Sequence, residues 1–138
     1  IGMALVAVDA RILQVNDALC RMLGRAEGEL VGAAVRDLTH PDDVAADEEH
    51  QRRLLAGEVD AYRMEKRYLR GDGSEVACQL DVTLVRHADG RPDHMIAQVQ
   101  DITEHREVIE ALSLAMRTEG LIPAIESAHA FHPLSSRT

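Results

Sequence analysis

Hydrophobic and polar residues follow two different periods along this chain of 138 residues. A period of two, typical of strands with one buried face, occurs near the amino terminus and again after residue 60. Between these segments, and again from residue 104, apolar residues recur every three or four positions, as on one face of a helix. The pattern predicts two strands, a helical middle section, three further strands and a closing helix.

The start and stop signals of the first helices are clear. Asn16 or Asp17 can cap a short helix that ends at Gly24. A second helical turn, residues 27–31, ends at Gly32. Both helices are short, so we expect them to pack on a sheet rather than to be stable alone.

A longer helix is predicted to begin at Pro41, with Thr39 or His40 before it, and to end at Gly57. Turns at residues 71–73 and 89–90 separate the later strands. An α+β domain is therefore expected, with one five-stranded antiparallel sheet and helices on one face. The predicted strands are residues 2–9, 12–15, 61–70, 75–86 and 95–100.

Five short motifs follow one another along this pattern. They are Val8-Asp9 with Ile12, Val15 and Asn16; Leu23-Gly24 with Glu29-Leu30-Val31-Gly32; His40-Pro41-Asp42-Asp43; the segment 65–74; and Asp101-Ile102-Thr103-Glu104. In this order they resemble the PAS family of sensor domains over about residues 1–112. Two positions depart from the family pattern, since Ala10 replaces a glycine and Gly71 a lysine.

The resemblance implies a PAS core at residues 1–104, a C-terminal exit (signalling) helix at 105–119 and a tail or linker at 120–138. It implies a sensory module of a bacterial signalling protein, not an enzyme. In that family the helices and the inner sheet face enclose a pocket, and occupancy of the pocket is passed through the exit helix to an output domain. No output domain is visible in this sequence.

The composition of the chain limits the classes of partner that are expected. The net charge is −9, and no basic patch with interleaved aromatic residues stands out, so nucleic acid is not an expected partner. No apolar run is long enough to span a bilayer. The two cysteines, Cys20 and Cys78, form no CxxC motif and are expected to be reduced thiols in the cytoplasm.

Lys66 is a charged residue at a strand position that is predicted to face the apolar side. It shares one face of a predicted strand with Met64 and Tyr68, so its charge points toward the apolar side. A buried ammonium needs a partner, and Asp47 or Glu48 of the long helix is the expected one. Two interpretations stay open: a structural ion pair, or a contact to the carboxylate or phosphate of a ligand.

The other predicted pocket residues are mostly apolar. Such a face fits a small apolar ligand, but it also fits a core filled by its own side chains. The sequence does not identify a ligand. These candidates are Tyr68, Cys78, Leu80, Met95, Ala97 and Val99.

Neither flavin nor haem is expected. The segment Asp37-Leu38-Thr39-His40 lacks the Asn-Cys-Arg-Phe pattern of flavin-binding PAS domains. His50 is the weak candidate for a haem ligand, but the matching helix position lies near Ala46 or Asp47. The seven histidines are scattered, which predicts no metal site, and no catalytic set of nucleophile and base is visible.

The exit helix carries an apolar stripe that includes Ile109, Leu112 and Met116. The stripe is too short for an independent coiled coil, so it can assist a dimer or fold back on the domain. A homodimer is the expected outcome. Two functional hypotheses therefore remain: a sensor that binds a small ligand, or a ligand-free dimerisation or protein-interaction module.

Overall fold

The structure is a computed structural model that describes residues 1–118, without the side chains of residues 104–106. The predicted tail lies outside the described residues. The strands are β1 (Gly2–Ala7), β2 (Ile12–Val15), β3 (Ala61–Leu69), β4 (Glu75–Arg86) and β5 (Pro92–Asp101). The helices are α1 (Asp17–Leu23), α2 (Glu27–Leu30), α3 (Pro41–Leu55) and α4 (Thr103–Thr118), with a 3-10 turn at Val35–Leu38.

The five strands form one antiparallel sheet in the order β2-β1-β5-β4-β3. The first and last strands of the sequence are therefore neighbours at the centre, where Ala97 of β5 lies between Ala4 of β1 and Val82 of β4. This arrangement confirms the predicted α+β fold. It also brings strands that are far apart in sequence around one common core.

The core lies between the inner face of the sheet and the helices before β3. Alternate residues of β3, β4 and β5 are buried, as their period of two predicts. Tyr68 is the one aromatic side chain among the buried core residues of the described chain, so aliphatic side chains and methionines fill the core. Within residues 1–118, no helix has the length and apolar character needed to cross a membrane.

Two helix caps explain where α1 and α3 begin. Of the two candidates for α1, the cap is Asn16, whose Oδ1 accepts hydrogen bonds from the backbone N–H of Leu19 at 3.0 Å and of Met3 at 2.9 Å. The cap of α3 is His40, whose Nδ1 accepts a hydrogen bond from the N–H of Asp42. Asn16 therefore starts a helix and fastens it to β1 at the same time.

The two departures from the family pattern have steric consequences. A Cβ atom on Gly71 would lie 2.4 Å from the carbonyl oxygen of Gly24, so no larger residue fits in this arrangement. The N–H of Gly71 donates to the carbonyl of Leu23, which fastens the β3–β4 turn to the end of α1. Ala10 adopts a φ of +68°, a left-handed conformation in which glycine meets no steric penalty.

Several elements differ from the sequence-based prediction, and β1 ends at Ala7, two residues before its predicted end at residue 9. The turn at Val35–Leu38 was not predicted, and α4 begins at Thr103, two residues earlier than expected. Strand β5 begins at Pro92 rather than Met95. Proline lacks an N–H, so the start of a strand, here beside a register shift in β4, is where it is tolerated.

Candidate functional site

An internal cavity of about 30 Å³ lies between the inner face of the sheet and the helices α1 and α3. A volume of this size holds roughly one or two water molecules. Its walls are mainly aliphatic, and its polar end is formed by α3 and β3. Besides residues of β4 and β5, the aliphatic side chains that line the cavity include Ala4, Val6, Leu19, Leu23, Val35 and Leu38.

Lys66 forms the centre of the polar end. Its side chain has no exposed surface, and its Nζ lies 2.7 Å from Oδ2 of Asp47, which is 3% exposed. It also donates to Oγ1 of Thr39 at 2.9 Å and lies 4.4 Å from the centre of the Tyr68 ring. Of the two partners expected from sequence, Asp47 is the one that the helix turns inward.

These contacts leave Lys66 little capacity for a ligand anion. An ammonium has three N–H donors, and here two carry hydrogen bonds while the aromatic ring of Tyr68 provides a cation–π contact. Burial lowers the pKa of Lys66, and the Asp47 carboxylate opposes this shift. The geometry fits an internal ion pair better than a docking point for a carboxylate or phosphate.

Two tyrosines flank the ion pair. Tyr68 is buried and lines the cavity, whereas the hydroxyl of Tyr62 lies 3.5 Å from Oδ1 of Asp47, at the long limit of a hydrogen bond. Burial, followed by the Asp47 charge, raises the pKa of both phenols above the ordinary value. Both therefore remain protonated near neutral pH and can act as hydrogen-bond donors.

The predicted pocket residues divide into two groups. Lys66, Tyr68, Leu80, Met95 and Ala97 line the cavity, whereas Cys78 and Val99 are buried but do not. The reason is the position of α1: a Cβ on Gly2, the residue paired with Val99, would lie 3.0 Å from the Leu19 side chain.

Cys78 is covered by the same helix. Its Sγ lies 3.9 Å from Sδ of Met22, so α1 fills this end of the sheet with its own side chains. Burial raises the pKa of the Cys78 thiol to about 12, and the thiol is therefore not ionised at neutral pH. We find no basis in this geometry for a reactive cysteine at the cavity.

His50 does not line the cavity. Its ring stacks on Tyr62 with 5.0 Å between centroids. The inward position of the helix is taken by Asp47, three residues earlier, because residues three apart in a helix point in directions about 60° apart. In the described part of the chain, no three His, Cys, Asp or Glu side chains could together hold a metal ion.

Sequence reasoning missed Gln51 and Val35. Gln51 lies one turn after Asp47 on α3, and its Nε2 is 3.4 Å from Oδ2 of Asp47. The spacing of four residues was a usable signal once Asp47 was taken as inward-facing. Val35 belongs to the 3-10 turn, for which the sequence pattern contained no comparable signal.

A second hollow of about 150 Å³ adjoins this end of the cavity, and we call it the vestibule. It lies between the β1–β2 turn, the segment from Ala34 to Arg36, and one face of α3. Its lining is evenly divided between polar and apolar surface. Val35, Asp47 and Gln51 border both hollows.

The comparisons with known proteins decide the family. A family model described as "PAS domain" matches residues 1–104. This chain belongs to the PAS domain family. As a PAS domain it is a sensory module, and the resemblance seen in its sequence motifs is confirmed.

The PAS domain is similar to parts of bacterial signalling proteins. It is 41% identical over 128 residues to the probable diguanylate cyclase DgcE of Escherichia coli, covering 88% of this chain and 12% of that protein. It is 33% identical over 108 residues to the C4-dicarboxylate transport sensor protein DctS of Rhodobacter capsulatus, covering 78% of this chain and 16% of that protein. The chain thus spans a small fraction of each relative.

Solved structures show the same fold. The PAS-B domain of Drosophila melanogaster Cycle with bound ethylene glycol superposes with a TM-score of 0.68 at 16% identity, covering 73% of this chain and 99% of that one. The PAS domain of a Colwellia psychrerythraea protein gives a TM-score of 0.69 at 16% identity, covering 75% of this chain and 86% of that one. At this identity the likeness supports the fold alone.

The start of α4 is joined to β4 of the PAS domain by hydrogen bonds. Ala77 donates its N–H to Oγ1 of Thr103 at 3.0 Å, and its carbonyl accepts the N–H of Ile102 at 2.9 Å. Oδ1 of Asp101 accepts the N–H of Thr103, the first residue of α4, at 2.9 Å. These hydrogen bonds fasten the start of α4 to β4.

A second connection runs from α1 through Arg70. Its Nε donates to the carbonyl of Met22 near the end of α1 at 3.2 Å, and its Nη2 lies 3.8 Å from Oδ2 of Asp101. Leu19 and Leu23 of the same helix line the cavity. One arginine thus contacts both a helix of the cavity wall and Asp101, which accepts a hydrogen bond from the first residue of α4.

Proposed function

We propose that this PAS domain binds a small, largely apolar molecule in its internal cavity and relays occupancy through α4 to an output domain outside this chain. The observation that carries the proposal is the cavity itself, which is enclosed by aliphatic side chains and has one polar end at Lys66, Asp47 and Gln51. Apolar hollows with a few fixed polar groups are the usual form of small-molecule sites.

The present volume admits only a very small guest, so a larger ligand has to displace side chains. Met95 lines the cavity and is well suited to this, because its unbranched side chain adapts to irregular space. Leu19 and Leu23 are the second adjustable wall, since they lie on the short helix α1. Binding is therefore expected to move β5 or α1.

The relay follows from these two walls. Leu80 and Val82 of the cavity lie on β4, the strand whose Ala77 bonds to the start of α4. Movement of α1 reaches Asp101 through Arg70. Both routes end at the first turn of α4, which makes this helix the output element of the proposal.

The cellular setting is part of the same proposal. Both cysteines are free thiols in the structure, which suits a reducing cytoplasm. DgcE and DctS are much longer than this chain, and we infer that an output domain likewise accompanies it in the full-length protein. A homodimer through Ile109, Leu112 and Met116 fits the apolar surface of α4, where Leu112 is 58% exposed.

A ligand-free interaction module is the alternative. It is favoured by the small volume of the cavity and by the apolar surface that α4 leaves uncovered in the described chain. In this case the core is complete without a guest, and the domain acts by pairing with a second copy or another protein. Ligand binding and pairing then respond to different substitutions.

Native mass spectrometry of the purified chain, with an absorbance spectrum of the same sample, is the first test. A mass excess or a gain in melting temperature with a metabolite supports the sensor, because a ligand of the folded state stabilises it by mass action. Ala97→Val, which fills the cavity, should abolish the gain, whereas Ala7→Val on another part of the sheet should not. A colourless apo dimer with no response across a metabolite panel supports the interaction module instead.

A further inference from the structure

The vestibule is a built hollow rather than a surface irregularity. Its floor is one face of α3, since Val44, Asp47, Glu48 and Gln51 have the spacing of a single helical face. The β1–β2 turn and the segment containing Arg36, which are joined by a hydrogen bond from the N–H of Val35 to the carbonyl of Ala10, form the rest of its lining. Its volume of about 150 Å³ exceeds that of the internal cavity, which is about 30 Å³.

One layer of side chains separates the vestibule from the cavity. Val35, Asp47 and Gln51 border both, so each of these side chains has one hollow on either side. Asp47 is fixed by the short ion pair with Lys66 at 2.7 Å, whereas Gln51 carries no charge and makes a long contact of 3.4 Å to Asp47 and a side-chain hydrogen bond to Tyr62. Of the two polar side chains, Gln51 is therefore the one that can turn aside at small cost.

The charges of the vestibule select the head group of a guest. Its lining contains the carboxylates of Asp9, Asp47 and Glu48 and one cation, Arg36. Arg36 is paired with Glu48 at 3.7 Å, and the charge of Asp47 is matched by Lys66. Hydrogen-bond acceptors thus outnumber free donors, and an anionic group would meet net repulsion.

We propose that the vestibule and the cavity form one site for an amphipathic molecule, with an amine or hydroxyl head in the vestibule and a short apolar tail in the cavity. Gln51 stands at the junction and has to move for the tail to pass. The inference rests on the proposed function, because it assumes that the cavity accepts a guest. It specifies the ligand class and the route by which the ligand enters.

The test uses three probes with the same tail: n-butylammonium, n-butanol and butyrate, titrated into the isotope-labelled 138-residue chain and followed by NMR. Butylammonium is expected to bind about ten-fold more tightly than butyrate, with butanol between them, a modest ratio because the vestibule charges are partly solvated. Amide shifts should appear together at Ala34 to Arg36 and at Leu80 and Ala97. Added salt should reduce the ratio.

Gln51→Phe provides the test of the junction. The larger ring is expected to block it and to weaken butylammonium binding by about ten-fold, which corresponds to lost burial of roughly two methylene groups of the tail. Gln98→Phe is the matched control, because Gln98 is exposed on β5 and its substitution should leave binding unchanged. The melting temperature of both variants shows that each is folded.

Five outcomes would contradict the inference. Equal binding of butyrate and butylammonium overturns the head-group selection, and shifts confined to one hollow, or binding unchanged in Gln51→Phe, overturn the single site. If no butyl probe binds but dissolved xenon shifts Leu80 and Ala97, this inference fails while the cavity of the proposed function stands. If xenon also produces no shifts, both fail.

Discussion

Helices α3 and α4 have nearly the same length, fifteen and sixteen residues, but they relate to the domain in opposite ways. The sequence of α3 is mostly polar, yet it buries Leu54 and Asp47. Along α4 apolar residues form a stripe, yet Val108, Leu112 and Leu114 are 58–60% exposed. The hydrophobic content of a helix therefore does not decide here whether the helix is packed.

The difference lies in the polar contacts that fix each helix. Asp47 of α3 pairs with Lys66 of β3, and Asp43 accepts hydrogen bonds from the backbone N–H and the guanidinium of Arg67. For α4, the described bonds to the sheet lie at its first turn, around Thr103. Polar contacts along its length thus hold α3 against the sheet, whereas the described contacts of α4 with the sheet fix only its start.

The largest expected effect comes from Lys66→Met. Removal of one partner of a buried pair leaves Asp47 as an unpaired charge, which costs about 3–5 kcal/mol of unfolding free energy. The double variant Lys66→Met/Asp47→Leu should recover most of this loss, because no charge then stays buried. Urea unfolding of both variants measures the difference, and a single variant close to wild type would show that the pair does not fix α3.

The same substitution at one leucine in each helix sharpens the comparison. Leu54→Ala in α3 should cost about 2–5 kcal/mol, because Leu54 is fully buried. Leu112→Ala in α4 should change stability by no more than about 0.5 kcal/mol in dilute protein. Analytical ultracentrifugation of Leu112→Ala adds a second readout, since this variant is expected to weaken the dimer. A similar loss of stability in both variants would contradict the comparison.

Asp43 makes the attachment of α3 dependent on pH. Burial raises its pKa, but hydrogen bonds from Arg67 outweigh this effect, so the pKa lies below the ordinary value of 3.8. Because the folded pKa is lowered, its contribution to stability is complete well above pH 3.8 and is lost as the pH falls through the folded pKa.

Asp43→Asn should therefore be less stable than wild type at pH 7, by about 1–2 kcal/mol, toward the low end for hydrogen bonds to charged groups because the pair is partly exposed to solvent. The gap should narrow as the pH falls below 3.8. Urea unfolding between pH 7 and pH 3 measures it, with Arg67→Gln as the companion variant that removes the same contact from β3. A gap that stays constant with pH would show that the Asp43 carboxylate does not contribute in this way.

A local effect of modest size is expected at the attachment of α4. Thr103→Val removes the oxygen that accepts the N–H of Ala77, and a net loss of roughly 1 kcal/mol is expected at that point. Hydrogen exchange should become faster in the first turns of α4 but not at Leu80 in the core. Thr118→Val, which alters a bond at the other end of the helix, is the control; equal effects of the two would argue against attachment through Thr103.

Much of the fold could be read from local patterns. The period of two located the buried faces of β3, β4 and β5, and Pro41 marked the first residue of α3. A carboxylate partner was predicted for Lys66, because a lysine on an apolar strand face requires one. The sequence left Asp47 and Glu48 as alternatives for this partner. Asp47 and Glu48 differ by about 100° around α3, and only the packed orientation of the helix selects Asp47.

The cavity was harder to predict from the sequence, because a cavity is space that the surrounding side chains leave unfilled. Cys78 and Val99 have the same strand pattern as Leu80 and Ala97. Helix α1 nevertheless covers the first two and leaves the last two at the cavity wall. The vestibule combines the β1–β2 turn, the 3-10 turn and α3, three segments with no shared period.

By itself the sequence determined the order of the elements, the inward face of each strand and the PAS family, since these depend on periodicity and motifs within short segments. The tertiary structure alone decided which carboxylate meets Lys66, how much space stays open beneath α1 and α3, and which apolar stripe stays uncovered. These properties depend on how segments far apart in sequence approach one another, and a pattern confined to one segment does not carry that information.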